Sequence, residues 1–392
     1  MTEVEATAPL TRRRVCGTLT FLANGFGMGV WSIEIARVQS VIGASDAEIG
    51  FALLVFAVAA LCAMPVAARL ATRFRINRVV GAFGVAFAVA LSFPGWVSGL
   101  AGLCLALLCL GVAHGSLDVV MNSRASVIET AYGRPIMSSF HAAWSIGGAV
   151  GAGTAGLLTG QGLSAATILT ASAAVVLGVL LASAAGGQGP IADAPPPRGL
   201  VPANPLRRLA AVNWSPRLIG LCLIAFFALL TEGALANWTS IYLKGVLTGL
   251  AGGFSLGYLA FSVGMSIGRL SGDRVVAACG RRAVGWSGAA VSALAFAVVL
   301  WWPSLIAAVV CFVIIGLGMS NVVPITFSTA GRTARSASRG IALAASAGYS
   351  GLLVGPALVG GLADLFTLPQ ALVALVASMA AIAVLATFAL ER

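Results

Sequence analysis

Long apolar runs recur from one end of this chain to the other. Of its 392 residues, 59% are hydrophobic and only 9% are charged, whereas a soluble domain has about 25% charged residues. A helix that crosses a membrane needs about 20 mainly apolar residues. Because backbone polar groups in lipid must be paired within their own segment, each such run is expected to be helical. Twelve spans are predicted: 15–38, 48–69, 78–97, 99–123, 137–161, 164–186, 217–243, 250–271, 282–302, 304–327, 340–363 and 367–389.

The positive charges test this count of spans. If the N-terminus is cytoplasmic, every Lys and Arg except Arg37 and Lys244 falls on the cytoplasmic side, as the positive-inside rule predicts. Trp96, Trp301 and Trp302 fall at predicted outer ends, where aromatic belts lie. We therefore expect a multi-pass protein of the bacterial cytoplasmic (inner) membrane with both chain ends inside. The net charge of +11 does not indicate nucleic-acid binding, because the basic residues do not form one face.

A proline-rich polar stretch divides the spans six and six. We predict an N-terminal six-helix bundle at 1–186, a cytoplasmic linker at 187–216 and a C-terminal six-helix bundle at 217–392. Related halves with a site between them are typical of secondary transporters. Glycines of the fifth span recur at the same spacing in the eleventh, as Gly147, Gly151 and Gly156 in one and Gly351, Gly355 and Gly360 in the other.

Residues 268–282 resemble the loop motif of the major facilitator superfamily, G-x-L-x-x-D-R followed by G-R-R. The first-half copy is degraded, with Ala68 in place of the glycine and Thr72 in place of the acid. The resemblance implies an all-α membrane protein of twelve helices in two pseudo-symmetric six-helix bundles. It also implies a conformational latch at the cytoplasmic boundary, although a solvated charge cluster is the alternative. The latch residues are Gly268, Asp273, Arg274, Arg281 and Arg282.

Three further motifs resemble the YbjJ-like branch of that superfamily, which is similar to the fucose permease group. They are LDVVMN at 117–122, FHAAWS at 140–145 and EGALANW at 232–238. Asn237 departs from the acid that the branch usually has there. The resemblance implies a small polar organic solute, for example a sugar-like one.

Glu232 is the first candidate for proton coupling, because it lies near the middle of the seventh span. A charge at the centre of a span costs roughly 2.5–3.5 kcal/mol on insertion scales. Such residues usually face an internal cavity and mark an ion or substrate path. A carboxyl group there could gain and lose a proton as the cavity opens to either side. The alternative is a protonated acid that makes a structural hydrogen bond between helices.

Asp118 shares one helical face with His114 and Asn122, at a spacing of four residues each way. Since histidine titrates near physiological pH, a His–Asp pair could relay a proton. Alternatively, Asp118 holds the cytoplasmic end of the fourth span to the fifth. His141 lies one turn into the fifth span and is expected to approach Asp118, with a simple packing role left open.

Other polar and aromatic residues within the spans could bind a polar solute, although ordinary helix packing is the alternative for each. Glu34 lies three residues from Arg37, and this spacing predicts a local ion pair. The candidate substrate-binding residues are Asn24, Trp31, Asn122, Trp144, Asn237, Trp238, Asn321 and Tyr349.

The sequence lacks the motifs of ATP-driven pumps and of enzymes. The only lysine, Lys244, is not part of a GxxxxGK[ST] loop, which excludes ATP-driven transport by this chain alone. No HExxH or paired-cysteine pattern occurs, and AWSIG at 143–147 lacks the first glycine of G-x-S-x-G, so an enzyme is not expected. We predict a monomeric, proton-coupled secondary transporter without cofactor or metal that works by alternating access. Proton-driven efflux of an amphipathic compound, or a non-transporting solute sensor or lipid-handling protein, are the alternatives.

Overall fold

The computed structural model describes residues 10–133, 136–186, 215–246, 253–302, 304–333 and 337–390, and within these ranges it is all-helical. The predicted linker lies almost wholly outside them. A short 3-10 turn at Phe93–Trp96 follows the third helix. The helices are α1 (Leu10–Ile42), α2 (Asp46–Arg73), α3 (Ile76–Ser92), α4 (Leu100–Tyr132), α5 (Met137–Gly160), α6 (Ala165–Gly186), α7 (Pro216–Val246), α8 (Ser255–Cys279), α9 (Arg281–Trp301), α10 (Leu305–Met319), α11 (Val322–Thr333), α12 (Ala337–Leu365) and α13 (Leu368–Ala389).

Local sequence explains several helix ends. Ser45 and Glu48 form a reciprocal capping box that begins α2, which satisfies two backbone donors that a helix start leaves free. Gly133, at φ 67°, ends α4 in the left-handed conformation that glycine adopts without strain. The carboxylate of Glu129 then accepts hydrogen bonds from the backbone N–H groups of Ile136 and Met137. Glu129, and not Asp118, thus links the end of α4 to the start of α5.

Nine helical stretches in the described part of the chain are long and apolar enough to cross a membrane. The other long helices, α1, α5 and α8, are richer in glycine, serine or charged residues. Each of the twelve predicted spans overlaps one of these stretches. The large tryptophans Trp96, Trp301 and Trp302 are exposed at helix ends, as an aromatic belt requires. The protein is therefore an all-α, multi-pass membrane protein.

The helices form two bundles with the same internal packing. We call α1–α6 the N-terminal helix group and α7–α13 the C-terminal helix group. In the first group α5 packs on α1, and in the second α12 packs on α7. A Cβ atom at Gly151 would overlap the carbonyl oxygen of Phe26, and one at Gly351 would overlap that of Phe226. Glycine lets these backbones approach closely, so the repeated glycines bring together the corresponding helices of each group.

The predicted tenth span, 304–327, falls within the apolar helical stretch Leu305–Thr333, but this stretch is not one continuous helix. It consists of α10 and α11, separated by a turn at Ser320 and Asn321. The Ser320 hydroxyl donates to the carbonyl oxygen of Leu317 at 2.8 Å. The Asn321 amide donates to the carbonyl oxygen of Gly268 on α8 at 3.0 Å. Side chains of this kind compete with helical backbone hydrogen bonds.

The two helix groups touch closely at the membrane face opposite the chain ends. The Ser240 hydroxyl on α7 donates to the carbonyl oxygen of Ser32 on α1 at 2.6 Å. Near the same face, Gly360 of α12 lies directly against Gly50 of α2. At the other face, the Arg217 guanidinium donates to the carbonyl oxygen of Ala389 within the C-terminal helix group.

Candidate functional site

An acid–base pair lies at the contact between the two helix groups. Nη2 of Arg269, on α8, is 3.2 Å from Oε1 of Glu232, on α7. Nη1 of the same guanidinium donates to the hydroxyl of Ser145, on α5, at 2.6 Å. The side chains of Arg269 and Glu232 are 15% and 21% exposed. Arg269 therefore joins the predicted proton site to the other helix group by direct contact.

A small cavity opens beside this pair. Both helix groups contribute to its wall, because Trp144 and Ser145 come from α5 while the other lining residues come from α7 and α8. Tyr258 and Phe261 supply aromatic surface, and Ser262 supplies a hydroxyl. Its wall combines aromatic faces with a few polar groups, as ligand sites do, but its volume of about 30 Å³ is far below the roughly 300–1,000 Å³ of a site that encloses a drug-sized ligand.

Asn24 lies at the centre of a hydrogen-bonded group inside the N-terminal helix group. The indole N–H of Trp144 donates to its amide oxygen at 2.8 Å, and its amide nitrogen is 3.2 Å from Nδ1 of His114. Asn24 is fully buried. The imidazole of His114 lies between the rings of Phe56 and Phe87. This group holds one face of Trp144 toward the cavity.

Asp118 has other partners than His114. The Asn122 amide donates to the Asp118 carboxylate at 3.2 Å and to its backbone carbonyl at 2.8 Å. The carboxylate also interacts electrostatically with the phenol of Tyr349, on α12. His114 and Asp118 share a helical face, yet among the described residues no hydrogen bond joins them. Asp118 and Tyr349 belong to different helix groups, and their side chains are near enough to interact electrostatically.

His141 lies on the same side of α5 as the central pair. The residue is exposed, and its ring packs edge-on against Phe21, with 5.5 Å between centroids. It interacts electrostatically with Arg269, whereas the predicted approach to Asp118 is not a described contact. His141 is therefore the titratable group of α5 that faces Arg269.

The remaining substrate-binding candidates are mostly engaged in packing. Trp31 and Trp238 are buried, and the Trp238 indole donates to the carbonyl oxygen of Pro356 at 3.1 Å. The Asn237 amide donates to the carbonyl oxygen of Gly233 in its own helix. Asn321 holds the turn between α10 and α11. The described contacts of these four residues join helices or brace their own backbone.

The predicted latch is described only in part. A Cβ atom at Gly268 would overlap the Ser320 hydroxyl, so this glycine lets α8 approach the turn after α10. Arg274 is exposed, whereas Arg281 and Arg282 are partly buried at the start of α9. The side chain of Asp273 lies outside the described residues, and the latch stays a prediction.

A cluster of charges closes the face opposite the chain ends. The predicted ion pair is present, with Nη1 of Arg37 3.2 Å from Oε2 of Glu34. The Thr159 hydroxyl donates to the same carboxylate. Lys244 of α7 interacts electrostatically with both members of the pair. Arg37 and Lys244, the two basic residues that do not follow the positive-inside pattern, thus lie in one cluster.

Sequence reasoning missed Arg269 as a site residue. The eighth span was predicted to stop at 271, so Arg269 was assigned to the charged cytoplasmic end of that span. The helix α8 continues to Cys279, which places Arg269 well inside it. The missed signal is an arginine within reach of a partly buried acid on a neighbouring span.

Comparisons with known proteins agree with this architecture. The family model described as Major Facilitator Superfamily matches residues 17–356. An uncharacterized MFS-type transporter of Yersinia pestis is 33% identical over 377 residues, which cover 94% of this chain and 93% of that protein. Membrane protein MosC of Rhizobium meliloti is 31% identical over 366 residues, which cover 91% and 85% respectively. A crystal structure of the nucleoside transporter NupG has a TM-score of 0.76 at 15% identity and covers 96% of this chain and 97% of its own; this likeness shows the fold alone.

Proposed function

This chain belongs to the major facilitator superfamily, and we propose that it is a proton-coupled transporter of a small polar organic solute. It is a membrane transporter rather than an enzyme. The observation that carries the proposal is the contact of Glu232 with Arg269, which also binds Ser145 of the other helix group. Any movement of the helix groups past each other has to alter this contact, so the protonation of Glu232 and the conformational change are physically linked.

The proposed cycle is alternating access in the bacterial cytoplasmic membrane, with the protein acting as a monomer. The arginine distribution favours cytoplasmic chain ends. With that orientation, the cluster at Lys244, Arg37 and Glu34 closes the outer face, and the central cavity belongs to a cytoplasm-facing state. The halves 1–186 and 217–392, joined by the linker 187–216, are the proposed moving units.

We also propose that the chain falls in the YbjJ-like branch near the fucose permease group. Two residues of the motifs that resemble this branch, Trp144 of α5 and Glu232 of α7, line the central cavity. This placement favours sugar-like or other small polar solutes. The aromatic and apolar side chains of the cavity, Phe261 and Met265 among them, favour efflux of an amphipathic compound as the second candidate.

Proton flux tests the proposal across a range of solute classes. Purified protein is reconstituted into liposomes that contain a pH-sensitive dye, and sugars, polyols, nucleosides, organic acids and amphipathic cations are added one at a time. A coupled solute should change the internal pH, and Glu232→Gln should abolish the change because the side chain can no longer carry a proton. Solute entry without proton movement would indicate facilitated diffusion and would contradict proton coupling. Binding without any flux would indicate a sensor.

A matched control separates loss of coupling from loss of folding. Glu48→Gln removes a carboxylate that caps α2 and does not line the cavity, and it should retain proton flux. If Glu232→Gln carries protons as well as Glu48→Gln does, Glu232 is not the coupling residue.

A further inference from the structure

The central cavity has one removable charge and one permanent charge. Of its lining residues, Glu232, Arg269 and Tyr258 are ionisable. A glutamate becomes neutral when it takes up a proton, whereas an arginine side chain keeps its charge under all conditions in proteins. When Glu232 carries a proton, the guanidinium of Arg269 is therefore left as a cation beside a neutral acid.

The groups that face this guanidinium do not replace the lost negative charge. They are Glu232 of α7, Tyr258 of its own helix, and His141 and Ser145 of α5. Within the described side chains, the carboxylate of Asp118 is directed to Asn122 and Tyr349 and does not line this cavity. A partly desolvated cation without a counter-charge is costly, so the protonated state favours the entry of an anion.

The hydrogen bonds of the pair leave donor capacity on Arg269 for such an anion. Glu232 contacts Arg269 through one oxygen and one nitrogen, at 3.2 Å. A guanidinium has five N–H donors in a planar fork that matches a carboxylate in a bidentate pair. In this structure one nitrogen donates to Ser145 and one to Glu232, and this single contact with Glu232 falls short of the bidentate arrangement.

We propose that the solute is a small organic acid whose carboxylate takes the place of Glu232 on Arg269 when Glu232 is protonated. The inference rests on the proposed function, since it takes the central cavity as the solute site. The rest of the solute would lie against Trp144, Tyr258 and Phe261, and its hydroxyl groups would reach Ser262. A cationic solute fits worse, because it would add a second positive charge beside Arg269.

Binding measured by thermal shift tests the inference without any transport. The full-length protein in detergent is melted with matched acids and neutral counterparts: gluconate against glucitol, glucuronate against glucose, and glycerate against glycerol. Glucosamine serves as the cationic counterpart. At least one acid should raise the Tm more than its neutral partner does, and that preference should grow at lower pH as Glu232 takes up its proton. Arg78→Gln, which removes an exposed arginine at the start of α3, is the matched control and should leave the preference unchanged.

Two variants assign the preference to the central pair. Arg269→Gln should weaken binding of the preferred acid about tenfold or more, because it removes a charge-assisted hydrogen-bond pair. Glu232→Gln, which resembles the protonated acid, should strengthen that binding and make it independent of pH. Arg269→Lys keeps the positive charge but lacks the planar set of guanidinium donors, so it should bind the acid with intermediate affinity. This variant tests the inference if Arg269→Gln does not fold.

The outcomes that overturn the inference differ from those that overturn the proposed function. If no acid exceeds its neutral counterpart, if glucosamine exceeds glucose, or if Arg269→Gln keeps the acid preference, the solute is not an organic acid bound by Arg269. The absence of solute-driven proton flux would instead reject proton-coupled transport and leave the binding result standing.

Discussion

Lys244 and Ala36 are joined across the two helix groups. The ammonium nitrogen of Lys244, on α7, lies 2.8 Å from the carbonyl oxygen of Ala36, on α1. The same ammonium also donates to the Ser40 hydroxyl, one helical turn further along α1. This contact ties the helix groups together at the face opposite the chain ends, beside the ion pair of Glu34 and Arg37.

Lys244→Met should open that face. The change removes two hydrogen bonds from a charged donor at a partly exposed site, with a net loss of about 1–2 kcal/mol. Ser32→Cys is a suitable reporter because Ser32 is buried beneath the contact, after the exposed Cys62 and Cys279 are replaced by serine. In intact cells, an impermeant maleimide should label the reporter about tenfold faster with Lys244→Met than with the control Arg78→Met. Equal labelling rates would show that Lys244 does not hold this face closed.

Glu34→Gln should destabilise the protein. The carboxylate of Glu34 is fully buried and compensates Arg37, which is 20% exposed. Removal of one partner from a buried pair costs about 3–5 kcal/mol, and solvent contact at Arg37 reduces the expected loss to about 1–3 kcal/mol. The double variant Glu34→Gln/Arg37→Gln should recover part of the loss in a detergent unfolding titration. Strictly additive losses would contradict an energetic coupling between the two side chains.

Arg124→Lys should loosen the N-terminal helix group. The Arg124 side chain is 2% exposed, and its Nη2 contacts the carbonyl oxygen of Cys16 and the hydroxyls of Thr20 and Ser183 at 2.8, 2.6 and 3.2 Å. A lysine ammonium on a different stem cannot reproduce this position. We expect a loss of about 1–3 kcal/mol in the free energy of unfolding, whereas Arg73→Lys at an exposed helix end should cost nothing measurable. A stable Arg124→Lys variant would mean that one point charge satisfies all three acceptors.

Gly25→Ala should disturb the packing of α1 on α5. A Cβ atom at Gly25 would overlap the carbonyl oxygen of Trp144, so the methyl group has to push the helices apart next to the cavity. Gly178→Ala is the control, because a Cβ atom there meets no neighbour within 4 Å. The Tm should fall with Gly25→Ala and stay the same or rise with Gly178→Ala, since alanine favours the helix by up to about 1 kcal/mol. Equal Tm values would argue against close backbone contact at Gly25.

The positions of the helices could be predicted because lipid imposes a simple rule of length and apolarity. The Glu34–Arg37 pair could also be predicted, since both residues lie on one helix and the spacing alone brings them together. The same rule placed His114 and Asp118 on one face but could not reveal their partners. Asn24 and Tyr349 belong to other helices, and their approach depends on how α1 and α12 pack.

The break between α10 and α11 and the position of Arg269 were not predictable for a related reason. The run 304–327 is apolar throughout most of its length, and the turn at Ser320 depends on side-chain hydrogen bonds that composition does not display. Arg269 resembled a cytoplasmic charge because hydropathy ends a span where charges begin. The helix instead continues to Cys279, with its charged side chain directed at an acid on α7.

The pairing of Glu232 with Arg269 also decides how the membrane voltage acts on this protein. Moving one elementary charge across 100 mV requires about 2.3 kcal/mol, but an intact pair of opposite charges moves with no net electrical work. While the pair stays together, the central site can therefore move across the membrane field without electrical work. In the proposed cycle, voltage would act on this site only through the charges that the proton and the solute bring into it, and a proton that enters together with a monovalent anion would make that sum zero.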